Sequence, residues 1–204
     1  MNPGVLFIVS APSGAGKTSL VKALCERVDN LMLSVSHTTR AQRPGEVDGV
    51  DYHFIDKTAF ERSVAAGGYL EHAQVFDNYY GTSRKTTENL MQRGKDVILE
   101  IDWQGARQVI DRMPVNLSVF ILPPSLLALE QRLRGRGQDS DEVIARRMLD
   151  AKEQMEHYSE YDYLIINDNF DVALDELAAV FCASHLRASV QSDCQQVLLR
   201  DLLA

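Results

Sequence analysis

The segment Ser10-Ala11-Pro12-Ser13-Gly14-Ala15-Gly16-Lys17-Thr18 sits between two contrasting neighbours. Before it runs Val5-Leu6-Phe7-Ile8-Val9, a short apolar stretch with the length of a buried strand. After it comes Ser19-Leu20-Val21-Lys22-Ala23-Leu24, whose apolar spacing is helical. Strand, glycine-rich turn and Lys-Thr opening a helix are the context of a phosphate-binding loop. Gly14 and Gly16 let the backbone curl so that successive N–H groups point inward. The helix N-terminus adds partial positive charge. Lys17 can reach terminal phosphates, and the Thr18 hydroxyl can hold Mg²⁺. Ala11 stands where such loops usually carry their first glycine, which is tolerable if its φ stays negative.

Working outward, residues 17–28 read as the first helix and Leu31–Val35 as a second short apolar run. Ser36 to about Lys95 is polar, aromatic and dotted with glycine, and reads as a small α+β insertion. It includes a short helix near 57–66, with Thr58 and Glu61 at capping-box spacing. Val97–Asp102, Leu117–Leu122 and Tyr163–Ile166 are further strands, separated by helical stretches. The predicted architecture is α/β, a P-loop three-layer parallel sheet with helices on both faces. Its core is residues 1–35 and 96–187, with the insertion at 36–95 and a mobile loop or lid at about 135–147. A leucine-bearing tail, 188–204, is expected to pack on the core or on another subunit, which leaves a homo-oligomer open.

Composition narrows the function. The chain has 204 residues, 45% of them apolar, enough for a real core. No run of 18 apolar residues occurs, so no membrane span is expected. The N-terminus lacks a basic region and a small-residue cleavage site, so no signal peptide is expected. Cys25, Cys182 and Cys194 lack CxxC spacing and read as reduced thiols of a cytoplasmic protein. The five histidines show no zinc-binding spacing. A net charge of −8 argues against a nucleic-acid partner. A polyanionic ligand in an acidic protein then requires arginines concentrated locally. Arg40 and Arg43 form one group; Arg132, Arg134, Arg136, Arg146 and Arg147 form another.

Arg40 and Arg43, three apart in a turn-rich segment, can converge on one phosphate. Tyr52 and Tyr80 can add hydroxyl donors there. Taken alone, the arginine pair reads as solvated. Glu71 lies between apolar residues, and a carboxylate there can accept from the N1–H and N2–H₂ edge of guanine. Adenine would leave it unpaired; taken alone, Glu71 reads as an exposed helix or strand acid. Ser36 or Thr82 can donate to the guanine O6. Glu100 and Asp102 alternate with Ile101 at a strand end, where P-loop proteins place metal-linked or substrate-positioning acids. Arginines flanking the glycine-broken loop suit phosphoryl transfer, which spreads charge over equatorial oxygens. Arg134 and Arg146 also fit a solvated helix face.

These segments together resemble the guanylate kinase family of P-loop nucleoside-monophosphate kinases. The resemblance spans roughly residues 4–185. It rests on the phosphate loop, Ser34-Val35-Ser36-His37-Thr38-Thr39-Arg40, Arg43-Pro44-Gly45-Glu46, Gly49-Val50-Asp51-Tyr52, Tyr79-Tyr80-Gly81-Thr82, Glu100-Ile101-Asp102-Trp103-Gln104-Gly105 and Arg132-Leu133-Arg134-Gly135-Arg136-Gly137. It implies ATP-dependent phosphorylation of GMP and dGMP, with Mg²⁺ as cofactor and the insertion as acceptor site. Arg40, Arg43, Tyr52 and Tyr80 would take the GMP phosphate; Ser36, Glu71, Thr82 and Asp102 would take its base. Ala11, Pro12, Ser13, Gly14, Ala15, Gly16, Lys17 and Thr18 would hold ATP, with Asn167 on the adenine side. Thr18 and Glu100 would serve Mg²⁺. Lys17, Arg40, Arg136 and Arg147 would act on the transferring group. Two other readings are a sugar-phosphate kinase on the same scaffold and a catalytically dead protein-binding module. The guanine-reading set speaks against the first, and Lys17 with Thr18 against the second.

Overall fold

The computed structural model describes residues 4–75, 77–113, 117–135 and 140–204. Its centre is a five-stranded parallel sheet. Strands β1 (Leu6–Ser10), β2 (Leu31–Leu33), β7 (Asp96–Glu100), β8 (Leu117–Leu122) and β9 (Tyr163–Ile166) lie in the order β2-β7-β1-β8-β9. Every residue of β1 is buried, as a central strand covered on both faces requires. Its side chains divide by the two-residue period of a strand. Phe7 and Val9 enter one core with Leu20, Val21 and Leu24 of α1 (Lys17–Arg27) and Leu177 and Phe181 of α7 (Phe170–His185). Leu6 and Ile8 enter a second core with Ala106 and Val109 of α4 (Trp103–Arg112). Leu20 and Leu24 are almost fully buried, each contributing about 2 kcal/mol.

A second, four-stranded sheet is built from residues between 37 and 83. It comprises β3 (His37–Thr38), β4 (His53–Phe54), β5 (Tyr69–Val75) and β6 (Asn78–Ser83), in the order β4-β3-β6-β5. Helix α2 (Lys57–Ala65) packs Phe60 on the Tyr69 and Tyr79 rings, at centroid distances of 4.8 and 5.5 Å. Its cap is Asp56, whose side chain accepts from the Ala59 N–H at 2.8 Å, rather than the Thr58 that the capping-box spacing suggested. Helix α3 (Arg84–Gln92) leads back to β7. Leu70 of β5 is buried in the second core beneath the large sheet, so the small sheet is tied to the large one by an apolar side chain.

Helices α5 (Leu126–Gly135) and α6 (Asp141–Glu156) pair through Leu129, Leu133, Ile144 and Ala151. The expected lid at 135–147 falls partly on residues outside the described set, and Arg136 is one of them. Two short helices, α8 (Ala188–Cys194) and α9 (Gln196–Leu202), form the tail. No residue of either is buried, so the expected packing on the core is not found. Among the described residues no helix is long and apolar enough to cross a membrane.

Candidate active site

A cleft of about 530 Å³ opens between the carboxyl ends of β1 and β7 and the small sheet. Ligands of open α/β sheets bind at such ends. Ala11, Pro12, Ser13, Gly14, Gly16, Lys17 and Thr18 line one side. Gly14 and Gly16 have φ of 94° and 93°, a region that L side chains rarely adopt. A Cβ on Gly16 would also lie 2.3 Å from Asn167 Nδ2. Ala11 keeps a negative φ, since Asn30 is the non-glycine residue with positive φ among those described. The Ala-for-Gly exchange is therefore unstrained.

Two predicted loop contacts lie behind the cleft surface. Ala15 is fully buried. Asn167 is 4% exposed and donates from Nδ2 to the Ala15 carbonyl at 2.7 Å, while its own carbonyl accepts from Arg132 at 2.8 Å. Asn167 thus braces the loop and does not line the cleft. Lys17 Nζ donates to the Ile101 carbonyl at 3.2 Å, and the Thr18 hydroxyl donates to Glu100 Oε1. Glu100 ends β7. Asp102 does not continue the strand: it is the N-cap of α4, accepting from the Gly105 N–H at 2.9 Å. The expected strand alternation of the two acids fails, yet both face the cleft.

The opposite wall carries Ser36, Arg40, Arg43, Glu46, Tyr52, Glu71 and Tyr80. Glu71 is 2% exposed. It accepts the Thr82 hydroxyl at 2.6 Å, and Thr82 itself is fully buried. Burial pushes the Glu71 carboxyl up to about 7, with the Asp102 charge adding to the shift and Thr82 and Lys17 opposing it. Arg40 donates to Glu46 Oε1 at 2.6 Å and lies over the Tyr52 ring at 5.4 Å. Glu46 also accepts the Arg43 N–H at 2.8 Å. Tyr52 and Tyr80 meet at 5.9 Å, and burial raises the Tyr52 hydroxyl above its ordinary value.

Helix α6 supplies Arg147 and Gln154 to the cleft. Arg134 pairs with Glu130 at 2.9 Å and with Asp141, and Arg146 lies 3.9 Å from Asp77, so these two belong to exposed ion pairs. Among the described residues no group of three or more His, Cys, Asp or Glu side chains could hold a metal ion. The oxygen pair of Thr18 and Glu100 fits a Mg²⁺ that also takes oxygens from substrate phosphates.

A profile described as guanylate kinase matches residues 4–184. The chain is 59% identical to the guanylate kinase of Alkalilimnicola ehrlichii over 201 residues, covering 98% of this chain and 99% of that protein. It is 58% identical to that of Methylococcus capsulatus over 203 residues, covering 100% of each. The crystal structure of guanylate kinase from Anaplasma phagocytophilum superposes with a TM-score of 0.77 at 34% identity, covering 92% of this chain and 89% of that one. The chain belongs to the guanylate kinase family. Within this guanylate kinase frame the cleft brings together most of the residues expected from sequence. Ala15, Asn167 and Thr82 stand one layer behind it, and Arg136 lies outside the described residues.

The sequence reading gave no role to Glu46, Lys22 or Asp51. Lys22 of α1 donates to Asp51 at 2.7 Å, joining the P-loop helix to the small sheet's loop. Glu46 could have been found as the acid that follows Arg43 at a spacing of three.

Proposed function

We propose that this chain transfers the γ-phosphoryl group of ATP to GMP, and to dGMP, giving ADP and GDP or dGDP. One observation carries this reading. A single cleft is lined by the phosphate loop on one side and by a buried carboxylate, two arginines and two tyrosines on the other. In this reading Gly14, Gly16, Lys17 and Thr18 hold the ATP phosphates. Arg40, Arg43, Tyr52 and Tyr80 hold the acceptor phosphate, and Glu71, Ser36 and Asp102 face the guanine edge. Thr82 acts through Glu71.

An oxygen of the GMP phosphate attacks the γ-phosphorus. The new O–P bond forms as the bond from that phosphorus to the β,γ-bridging oxygen breaks, and ADP leaves. The attacking oxygen is already anionic, so no general base is needed. Catalysis rests on positioning and charge neutralisation. Lys17 and Arg147 neutralise charge on the transferring group, while Arg40 holds the acceptor oxygen in line. Thr18 and Glu100 would hold Mg²⁺, which supplies charge stabilisation on the phosphates. The small sheet, with the rest of residues 36–95, acts as the acceptor half of the site, and the reaction is cytoplasmic.

A coupled ADP-release assay with GMP, AMP, UMP and ribose phosphates tests the reading. Turnover with GMP at least 10²-fold above the others is expected, within the roughly 10⁴–10⁵-fold by which a hydrogen-bonding site can reject an analogue lacking its partners. Equal turnover of a sugar phosphate would overturn it.

A further inference from the structure

β5 is an edge strand of the small sheet, since β6 covers only one of its sides. An edge strand presents unpaired N–H and C=O groups that must find partners. Here the partners are side chains of one helix. Gln108 of α4 accepts from the His72 N–H at 3.3 Å and donates to the His72 carbonyl at 2.8 Å. Arg112 of α4 donates to the Leu70 carbonyl. The two residues that flank Glu71 are thus held through their backbone, one on each side.

The same stripe of α4 carries Gly105. Positions 105, 108 and 112 are spaced three and four apart, so they share one helix face. A Cβ on Gly105 would lie 2.5 Å from Glu71 Oε2 and 3.0 Å from its carboxyl carbon. The Glu71 carboxylate therefore occupies the space that a side chain at 105 would take. Asp102, the N-cap of this helix, lines the same cleft. One rigid helix so fixes both acids of the base-reading wall.

We infer that Gly105, Gln108 and Arg112 are positioning residues for guanine recognition: α4 replaces the missing neighbour strand of β5 and sets where Glu71 presents its carboxylate. The inference rests on Glu71 being the guanine reader. It also explains why the first turn of α4 carries a glycine, since a side chain there would meet the Glu71 carboxylate.

The test is steady-state kinetics with GMP and IMP, which lacks the N2 amine, alongside thermal melting. Gly105→Ala is expected to raise KM for GMP at least tenfold and to narrow the GMP-over-IMP preference at least fivefold. KM for ATP should stay within twofold, and the melting temperature is expected to fall, because the added methyl displaces a buried, hydrogen-bonded carboxylate. Gln108→Ala is expected to act in the same direction on GMP. A purely structural role would lower the melting temperature of Gln108→Ala and leave the GMP-to-IMP ratio unmoved. An unchanged KM for GMP in Gly105→Ala overturns the inference. Glu71→Gln separates the two claims. If Glu71→Gln raises KM for GMP and Gly105→Ala does not, the positioning role alone fails. If neither raises it, the guanine reading fails.

Discussion

The Thr82 hydroxyl donates to Glu71 Oε1 at 2.6 Å, and both side chains are closed off from bulk water except where Glu71 meets the cleft. The pair distinguishes the two hydroxyls, Ser36 and Thr82, that the sequence offered as donors. Thr82 is committed to the carboxylate, and Ser36 faces the cleft. One Glu71 oxygen is thereby held, and a ligand with two adjacent N–H donors meets a preoriented acceptor.

Removing that acceptor's charge should be costly for one substrate only. Glu71→Gln is expected to raise KM for GMP by roughly 10–100-fold, the equivalent of a charged hydrogen bond at about 1.5–3 kcal/mol. KM for ATP should hold steady. Initial rates over both substrates check this, and a parallel rise for ATP would count against the assignment.

With Glu71 as the guanine acceptor, its raised value should make KM for GMP depend on pH. As pH falls below about 7 the carboxyl gains a proton and loses an acceptor site. KM for GMP should therefore climb between pH 8 and pH 6, with Glu71→Gln flattening the profile. Stability moves oppositely in the unliganded protein. The folded value, about 7, lies above the ordinary 4.5, so the fold binds more protons here than the unfolded chain does. Stability is then lost as pH rises through that window, by on the order of 3 kcal/mol. Calorimetry of wild type and Glu71→Gln from pH 4.5 to 8 should show a slope in the first that is absent in the second.

Glu46 holds Arg40 through its side chain and Arg43 through its backbone. Arg40 and Glu46 side chains are 13% and 20% exposed, so the pair is worth more than a solvated one. Glu46→Ala should raise KM for GMP about fivefold, matching a loss of about 1 kcal/mol. Glu46→Gln, which keeps the hydrogen-bonding shape, should fall between. Equal kinetics for wild type and Glu46→Ala would remove Glu46 from the acceptor wall.

Thr18→Val removes one of the two oxygens at the mouth of the loop. The Mg²⁺ concentration for half-maximal activity should rise about tenfold or more, since few protein ligands hold this ion. Melting temperature should change little. A Mg²⁺ titration under saturating ATP and GMP measures it.

Gly16→Ala combines a φ of 93° with a Cβ 2.3 Å from Asn167 Nδ2. It should break the Asn167–Ala15 hydrogen bond and lower stability by about 1–3 kcal/mol. Urea denaturation checks the size. An unaltered midpoint would show that the loop has room to relax.

Much of the large sheet was legible because it obeys local rules. A five-residue apolar run, two glycines and Lys-Thr are contiguous, and each strand of the core is a short apolar run between helices. The small sheet was harder. β3 and β4 are two residues each, too short for any periodicity. Asp102 read as strand because its neighbour Ile101 is apolar; its capping bond to Gly105 needs three-dimensional contact to be seen. Gln108 and Arg112 left no signal, because side chains that bond to backbone carbonyls some 40 residues away make no pattern in composition or spacing. Arg134 illustrates the opposite case: it fits a solvated helix face in sequence, and in the structure it lies in exposed ion pairs with Glu130 and Asp141.

Hanging β5 on α4 has a mechanical consequence. A sheet anchored at β5 would swing, if it swings at all as a unit, about an axis near that strand. Rotation about that axis moves Glu71 least. It moves β4, three strand spacings or about 14 Å away, the most. The Lys22–Asp51 bridge joins α1 to the loop before β4, so such a swing would strain it. The purine end of an acceptor would thus meet a stationary wall, and the phosphate end a moving one.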